Sequence, residues 1–166
     1  MSQPSALESF ILTNLDQLSI PYRLERHEAV YTMEDAKRLH LDEGTRPVKN
    51  LFLRDSAKKH FFLISLDAEK KLDTRSLRAQ LQCSSLSFAS EELLLEKLHL
   101  NPGAVSPLAI SEDLSGKITI VLDNDFKEEE LLSFHPGVNT ASVFLQFGDL
   151  LRYLKSFPNP LLLLPL

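Results

Sequence analysis

Two apolar runs set six residues apart constrain this chain more than any other feature. Val48-Lys49-Asn50-Leu51-Phe52-Leu53-Arg54 and Phe61-Phe62-Leu63-Ile64-Ser65-Leu66 are joined by the polar connector Asp55-Ser56-Ala57-Lys58-Lys59-His60, and that pattern predicts a β-hairpin. Helical and strand-like periods are interleaved along the rest of the chain, but a helix does not follow every strand. The pattern therefore points to an α/β (α+β) fold with a mixed, largely antiparallel sheet and flanking helices, not to a doubly wound parallel sheet.

Before the hairpin, Leu7, Phe10, Ile11, Leu15 and Leu18 recur at helical spacing, and Ser5 with Glu8 has the form of a capping box. Tyr22 through His27 alternates as a half-exposed strand. Thr32-Met33-Glu34-Asp35 opens a short helix carrying Ala36 and Leu39 inward. After the hairpin, Leu72, Leu77 and Leu81 mark a helix capped by Asp73 or Thr74, Leu86–Ala89 a short strand, and Ser90-Glu91-Glu92 the start of a helix ending at Leu98. Four further strands are expected at Leu108–Ile110, Lys117–Leu122, Leu131–Phe134 and Ala141–Leu145, then a helix over Gly148–Lys155. The apolar tail Leu161–Leu166 is far shorter than the ~20 residues of a membrane span and either packs on the domain or dangles.

The 166 residues suit one domain, residues 1–166. Met1-Ser2-Gln3-Pro4-Ser5 lacks the basic and apolar stretches of a secretory signal, and Cys83 is the single cysteine, so a reducing, cytoplasmic setting without membrane attachment is expected. A net charge of -5 argues against a broad basic surface for nucleic acid; any contact with RNA would be local.

Three segments are unusual for packing alone. Lys49-Asn50 interrupts an apolar strand whose period of two sends Lys49, Leu51 and Leu53 one way and Asn50, Phe52 and Arg54 the other. One polar group must then meet a covered face or a cleft, unless the lysine merely snorkels from the strand end. Pro102-Gly103-Ala104-Val105-Ser106-Pro107 is a loop of small residues able to present backbone N–H groups to an anion or oxyanion, or else a plain tight connection. Phe134-His135-Pro136-Gly137-Val138-Asn139-Thr140 is a turn in which His135 and Asn139 could hydrogen-bond a ligand and Gly137 could admit one close to the backbone, or a turn built simply from turn-formers.

Other chemistries find less support. His27, His40, His60 and His99 lack metal-ligand spacing, no phosphate loop precedes a Lys-Ser or Lys-Thr pair, and no G-x-S-x-G elbow is present. Cys83 reads as a bystander and Glu128-Glu129-Glu130 as a solvated face. No cofactor and no metal are expected.

In order and spacing, His27–Thr32, Lys49–Asp55, Leu86–Ser90, Gly103–Pro107 and His135–Ala141 resemble the bacterial prolyl-tRNA editing superfamily. That superfamily includes the inserted editing domain of bacterial prolyl-tRNA synthetase, and the nearest likeness is to its free-standing alanyl-tRNA(Pro) deacylases. The resemblance covers nearly the whole chain. It implies a metal-independent aminoacyl-tRNA hydrolase acting in trans on Ala-tRNA(Pro); a deacylase for Cys-tRNA(Pro) or another small amino acid, or a silent module binding an aminoacyl or RNA end, are the alternatives. By the same resemblance Lys49 would hold the backbone at the 3′ end of the tRNA and Asn50 would orient the ester. The loop Gly103, Ala104, Val105, Ser106 and Pro107 would bind the scissile carbonyl. His135, Gly137, Val138 and Asn139 would form another wall, and Val30 and Thr32 would line a pocket for a small amino acid. The implied partners are the acceptor end of tRNA(Pro), with prolyl-tRNA synthetase or an elongation factor assisting.

Overall fold

The computed structural model describes residues 5–166, so the reading of Met1–Pro4 lies outside the described residues. The chain runs α1 (Ala6–Gln17), β1 (Arg23–Arg26), α2 (Met33–Arg38), β2 (Val48–Asp55), β3 (Phe61–Asp67), α3 (Thr74–Leu81), β4 (Leu86–Phe88), α4 (Glu91–Leu98), β5 (Thr119–Asp123), β6 (Leu131–Phe134), β7 (Ala141–Gln146), α5 (Phe147–Lys155) and β8 (Leu161–Leu164).

The expected hairpin is the centre of a five-stranded sheet of order β4-β2-β3-β5-β8. Its β2/β3 and β2/β4 ladders are antiparallel, while β3/β5 and β5/β8 are parallel. The expectation of a mixed, largely antiparallel architecture with flanking helices holds. The strands divide over two sheets, however, because β1, β7 and β6 form a separate antiparallel ribbon of three.

Alternation along the strands decides what lies between and outside these sheets. Phe52, Leu63, Ile120 and Leu122 from the larger sheet and Leu132, Phe134, Val143 and Leu145 from the smaller join one apolar cluster with Ile11 and Leu15 of α1, Leu94 and Leu98 of α4, and Leu150 and Leu154 of α5. The intervening Leu53, Phe62, Ile64 and Val121 pack against Leu77 of α3. On the ribbon, Phe144 packs with Val30 and Leu41, and Ala36 of α2 leans on them. Both sheets are thus covered on two faces.

Two local expectations need correcting, and one left open is decided. Leu108–Ile110 is not a strand but part of a 3-10 helix, Pro107–Glu112, in which all three residues are fully buried. Pro107 at its start lacks the N–H a ladder would use, and the Ser106 hydroxyl accepts the Leu108 N–H at 3.1 Å. A short apolar run reads alike for either state, since periodicity cannot separate them. At α1, Ser5 accepts the Glu8 N–H at 3.1 Å, but the Glu8 carboxylate does not complete a capping box. It is 1% exposed and pairs with Arg26 at 2.9 Å. The full capping box is at α2, between Thr32 and Asp35. Finally, the apolar tail packs: β8 adds to β5 as an edge strand, with Leu161 turned to the main core and Leu164 to the α3 side.

Candidate active site

A cleft of about 270 Å³ opens where the start of β2, the segment before α2, the loop after α4 and the turn between β6 and β7 converge. It brings together Lys49, Asn50, Gly103, Val105, His135, Val30 and Thr32, seven residues drawn from all three unusual segments and the pocket reading.

Lys49 and Asn50 are half-buried on β2, with side chains on opposite faces of the strand as alternation requires. Lys49 donates its ammonium to the backbone carbonyl of Lys70, at the turn following β3. Among the described residues it enters no ion pair, so its charge is not neutralised by a carboxylate. That carbonyl is itself held in place. Lys70 pairs with Asp123 at 2.9 Å and with Asp125, and fully buried Asp123 also accepts the Asp67 and Asp125 N–H groups at 3.2 and 3.1 Å. Nearby, Arg46 bridges Asp67 and Glu130, each at 2.9 Å. Its guanidinium, with the backbone N–H of Glu69, holds the Asp67 carboxyl below its ordinary value against the opposing effect of burial. Asn50 faces Ser65 across the ladder, and the Ser65 hydroxyl donates to Asn50 Oδ1 at 2.6 Å. With the oxygen engaged, the amide NH₂ is the group left to donate in the cleft.

His135 closes the opposite side. Its Nδ1 lies 2.9 Å from the Ala141 carbonyl and must donate to it, which leaves Nε2 as an acceptor. Burial pushes the imidazole below its ordinary value of about 6.5, and His27, whose ring centre is 6.2 Å away, acts in the same sense. The bond to Ala141 opposes them only in part. At neutral pH the cleft therefore joins a cation and an amide donor to a neutral imidazole acceptor.

The remaining residues of the expected site lie behind this surface. Ser106 is fully buried, its hydroxyl engaged with the Leu108 N–H. Ala104 and Pro107 are buried, and the Ala104 N–H donates to the Asn101 carbonyl at 2.9 Å. The amides of Gly103 and Val105 enter neither of these bonds. Gly137 has φ +85° and lies against α1, where a Cβ would stand 2.8 Å from Leu7 Cδ2. Its glycine is demanded by backbone conformation and by helix packing. Asn139 donates its side-chain amide to the Val30 carbonyl at 3.3 Å and accepts the Val30 N–H on its backbone carbonyl at 3.1 Å. Val138 is half-buried on the same turn and does not line the cleft.

Two cleft residues escape a reading of the sequence as single segments. Ser142 on β7 is 3% exposed, lines the cleft, and sits 2.9 Å from His27 Nε2. His27 Nδ1 meets the Glu28 carbonyl at 2.7 Å, so this ring donates there and accepts from the serine. A serine between Ala141 and Val143 in a buried strand is the one signal that could have found it. Tyr31 lines the cleft mouth, 75% exposed. Among the described residues no three His, Cys, Asp or Glu side chains form a group able to hold a metal ion, and no helix is long and apolar enough to cross a membrane.

Comparison with known proteins bears on this geometry. A family model described as the aminoacyl-tRNA editing domain matches residues 27–153. The chain is 34% identical over 149 residues to the prolyl-tRNA editing protein ProX of Acetoanaerobium sticklandii, covering 90% of this chain and 91% of that one. It is 34% identical over 158 residues to the prolyl-tRNA synthetase associated domain-containing protein 1 of Mus musculus, covering 92% of each. A crystal structure described as a candidate trans-editing enzyme for prolyl-tRNA synthetase aligns over 99% of both chains with a TM-score of 0.75 at 17% identity, a likeness of fold. The family match runs from His27 through the hairpin, the glycine loop and the His135 turn, and the chain belongs to the aminoacyl-tRNA editing domain family, whose members are deacylating hydrolases.

Proposed function

We propose that this protein hydrolyses mischarged alanyl-tRNA(Pro) in trans. The observation that carries the reading is the convergence of Lys49, Asn50, Gly103 and His135 on one small cleft whose inner apolar wall, Val30 and Leu41, is buried. The names of the relatives, a prolyl-tRNA editing protein and a prolyl-tRNA synthetase associated protein, support the tRNA and the partner.

In this reading the uncompensated Lys49 ammonium holds the phosphate backbone at the 3′ end. The Asn50 NH₂ and the amides of Gly103 and Val105 face the ester carbonyl, where donors count most as negative charge develops on its oxygen. Water, assisted by a hydroxyl of the terminal ribose, adds to the carbonyl carbon. Collapse of the tetrahedral intermediate breaks the ester C–O bond, the proton returns to the ribose oxygen, and free amino acid leaves. Neutral His135 accepts a hydrogen bond through Nε2, a role suited to the α-amino group. Val30 and Thr32 bound the amino-acid end. A second sieve has a physical reason: missing methylenes change binding by only ~1–3 kcal/mol, so a synthetase discriminates poorly against a smaller residue. Prolyl-tRNA synthetase or an elongation factor delivers the substrate, which suits a chain of net charge -5.

The test is ester loss from alanyl-, cysteinyl- and prolyl-tRNA(Pro), with wild type and Lys49→Ala side by side. Alanine is expected to leave fastest and proline to stay. Lys49→Ala should lose roughly 10²-fold in turnover, because an ester held out of place reacts that much more slowly, while keeping its fold. Hydrolysis of none of the three esters would overturn the reading, and faster loss of cysteine would replace its substrate.

A further inference from the structure

Tyr31 is a large aromatic residue held outside the core. It is 75% exposed, whereas Val30 beside it is 7% exposed. Yet its backbone is firmly tied. The Tyr31 N–H donates to the Asp35 carboxylate at 3.0 Å, the same carboxylate that closes the capping box of α2. Asn139 grips Val30 through both its N–H and its carbonyl. One edge of the ring rests on Gly103, where a Cβ would come within 3.4 Å of Cδ1 and 3.7 Å of Cε1. Gly103 thus keeps its backbone in the cleft and makes room for the ring above it. Met33, 45% exposed, extends the same apolar lip.

Folding does not account for a fixed aromatic that leaves most of its surface in water. We propose that Tyr31 is the stacking platform for the terminal nucleobase of the substrate, a proposal that rests on the editing reading. The aminoacyl group of a small residue belongs at the buried end, against Val30 and Leu41. The base hangs from the same ribose that carries the ester, so it must lie beside the cleft, and it is the flat apolar group of that end. Stacking also answers a problem of charge. An acidic chain gains little from neutralising phosphates along a duplex, and base–aromatic stacking supplies affinity independent of net charge.

The chain has no tryptophan, so Tyr31→Trp places a single fluorescent reporter on the lip. Titration with the trinucleotide CCA should quench it, and a trinucleotide abasic at its 3′ end should require at least about tenfold more ligand. Equal titration by the two would overturn the proposal. On aminoacyl-tRNA, Tyr31→Ala should raise KM about tenfold or more with kcat little changed, because stacking contributes equally before and during the reaction. Tyr31→Phe should restore KM. A fall in kcat at unchanged KM would overturn the proposal by placing Tyr31 at the ester. Wild-type protein that hydrolyses no aminoacyl-tRNA would instead count against the editing reading, and the CCA titration still decides whether Tyr31 binds a base.

Discussion

The two sides of the cleft are built differently. On the hairpin side, Lys49 and Asn50 project from the part of β2 that pairs with β3, above a network of Asp67, Lys70 and the fully buried Asp123. On the loop side, His135, Asn139, Gly103 and Tyr31 sit on turns that hold one another by a few hydrogen bonds and close contacts outside any sheet ladder. The hairpin side places charge through the ladder and the network beneath it. The loop side shapes the entrance through contacts that can be loosened one at a time.

The largest effect should come from the network. Asp123→Ala removes a fully buried carboxylate that serves Lys70 and two backbone N–H groups, and should cost roughly 3–5 kcal/mol in denaturant unfolding. Because Lys70 supplies the carbonyl beneath Lys49, turnover should fall as well. Stability lost with turnover intact would mean that the hairpin side does not need the network to place its cation.

Gly137→Ala tests the loop side where it meets α1. A side chain at φ +85° against Leu7 should cost about 1–3 kcal/mol and shift the unfolding midpoint. Asn139→Ala should cost about 1 kcal/mol for the lost side-chain bond to Val30, yet raise KM by a larger factor, since it loosens the segment bearing Tyr31, which then keeps only the backbone bond from the Val30 N–H as its tie to position 139. Equal losses in stability and in KM would show that Asn139 only braces the fold.

The smallest effect concerns pH. With the His135 pKa lowered in the folded state, its contribution to stability is complete above the ordinary value of about 6.5 and is lost as pH falls toward the folded value. A rate that needs neutral imidazole should likewise hold through pH 6.5 and fall only below it. His135→Gln, which keeps a polar group but does not titrate, should remove that acid limb. A limb unchanged in this variant would assign the titration to another group.

The unequal legibility of the two sides has a physical cause. A cation and an amide inside the apolar run 48–54 break a period that packing would preserve, so Lys49 and Asn50 stand out from their neighbours alone. Ser106, Gly137 and Asn139 belong to turns, where small and polar residues are common whether they face ligand or backbone. Here Ser106 caps a 3-10 helix, Gly137 admits α1, and Asn139 clasps Val30. Such partners lie up to 130 residues apart in the chain, between Leu7 and Gly137, beyond the reach of local pattern.

By itself the sequence determined the hairpin, the capped helices, the mixed strand pairing and the polar pair that interrupts an apolar strand, because propensity, period and capping act over a few neighbouring residues; ester hydrolysis entered only through the resemblance to the editing superfamily. Tertiary structure alone decided that the strands divide into two sheets, that the run 108–110 coils while the tail 161–164 becomes an edge strand, and which polar groups face the cleft. Those choices depend on contacts between distant segments, where a hydrogen-bond partner or a close approach selects one state from several that the local chain permits equally.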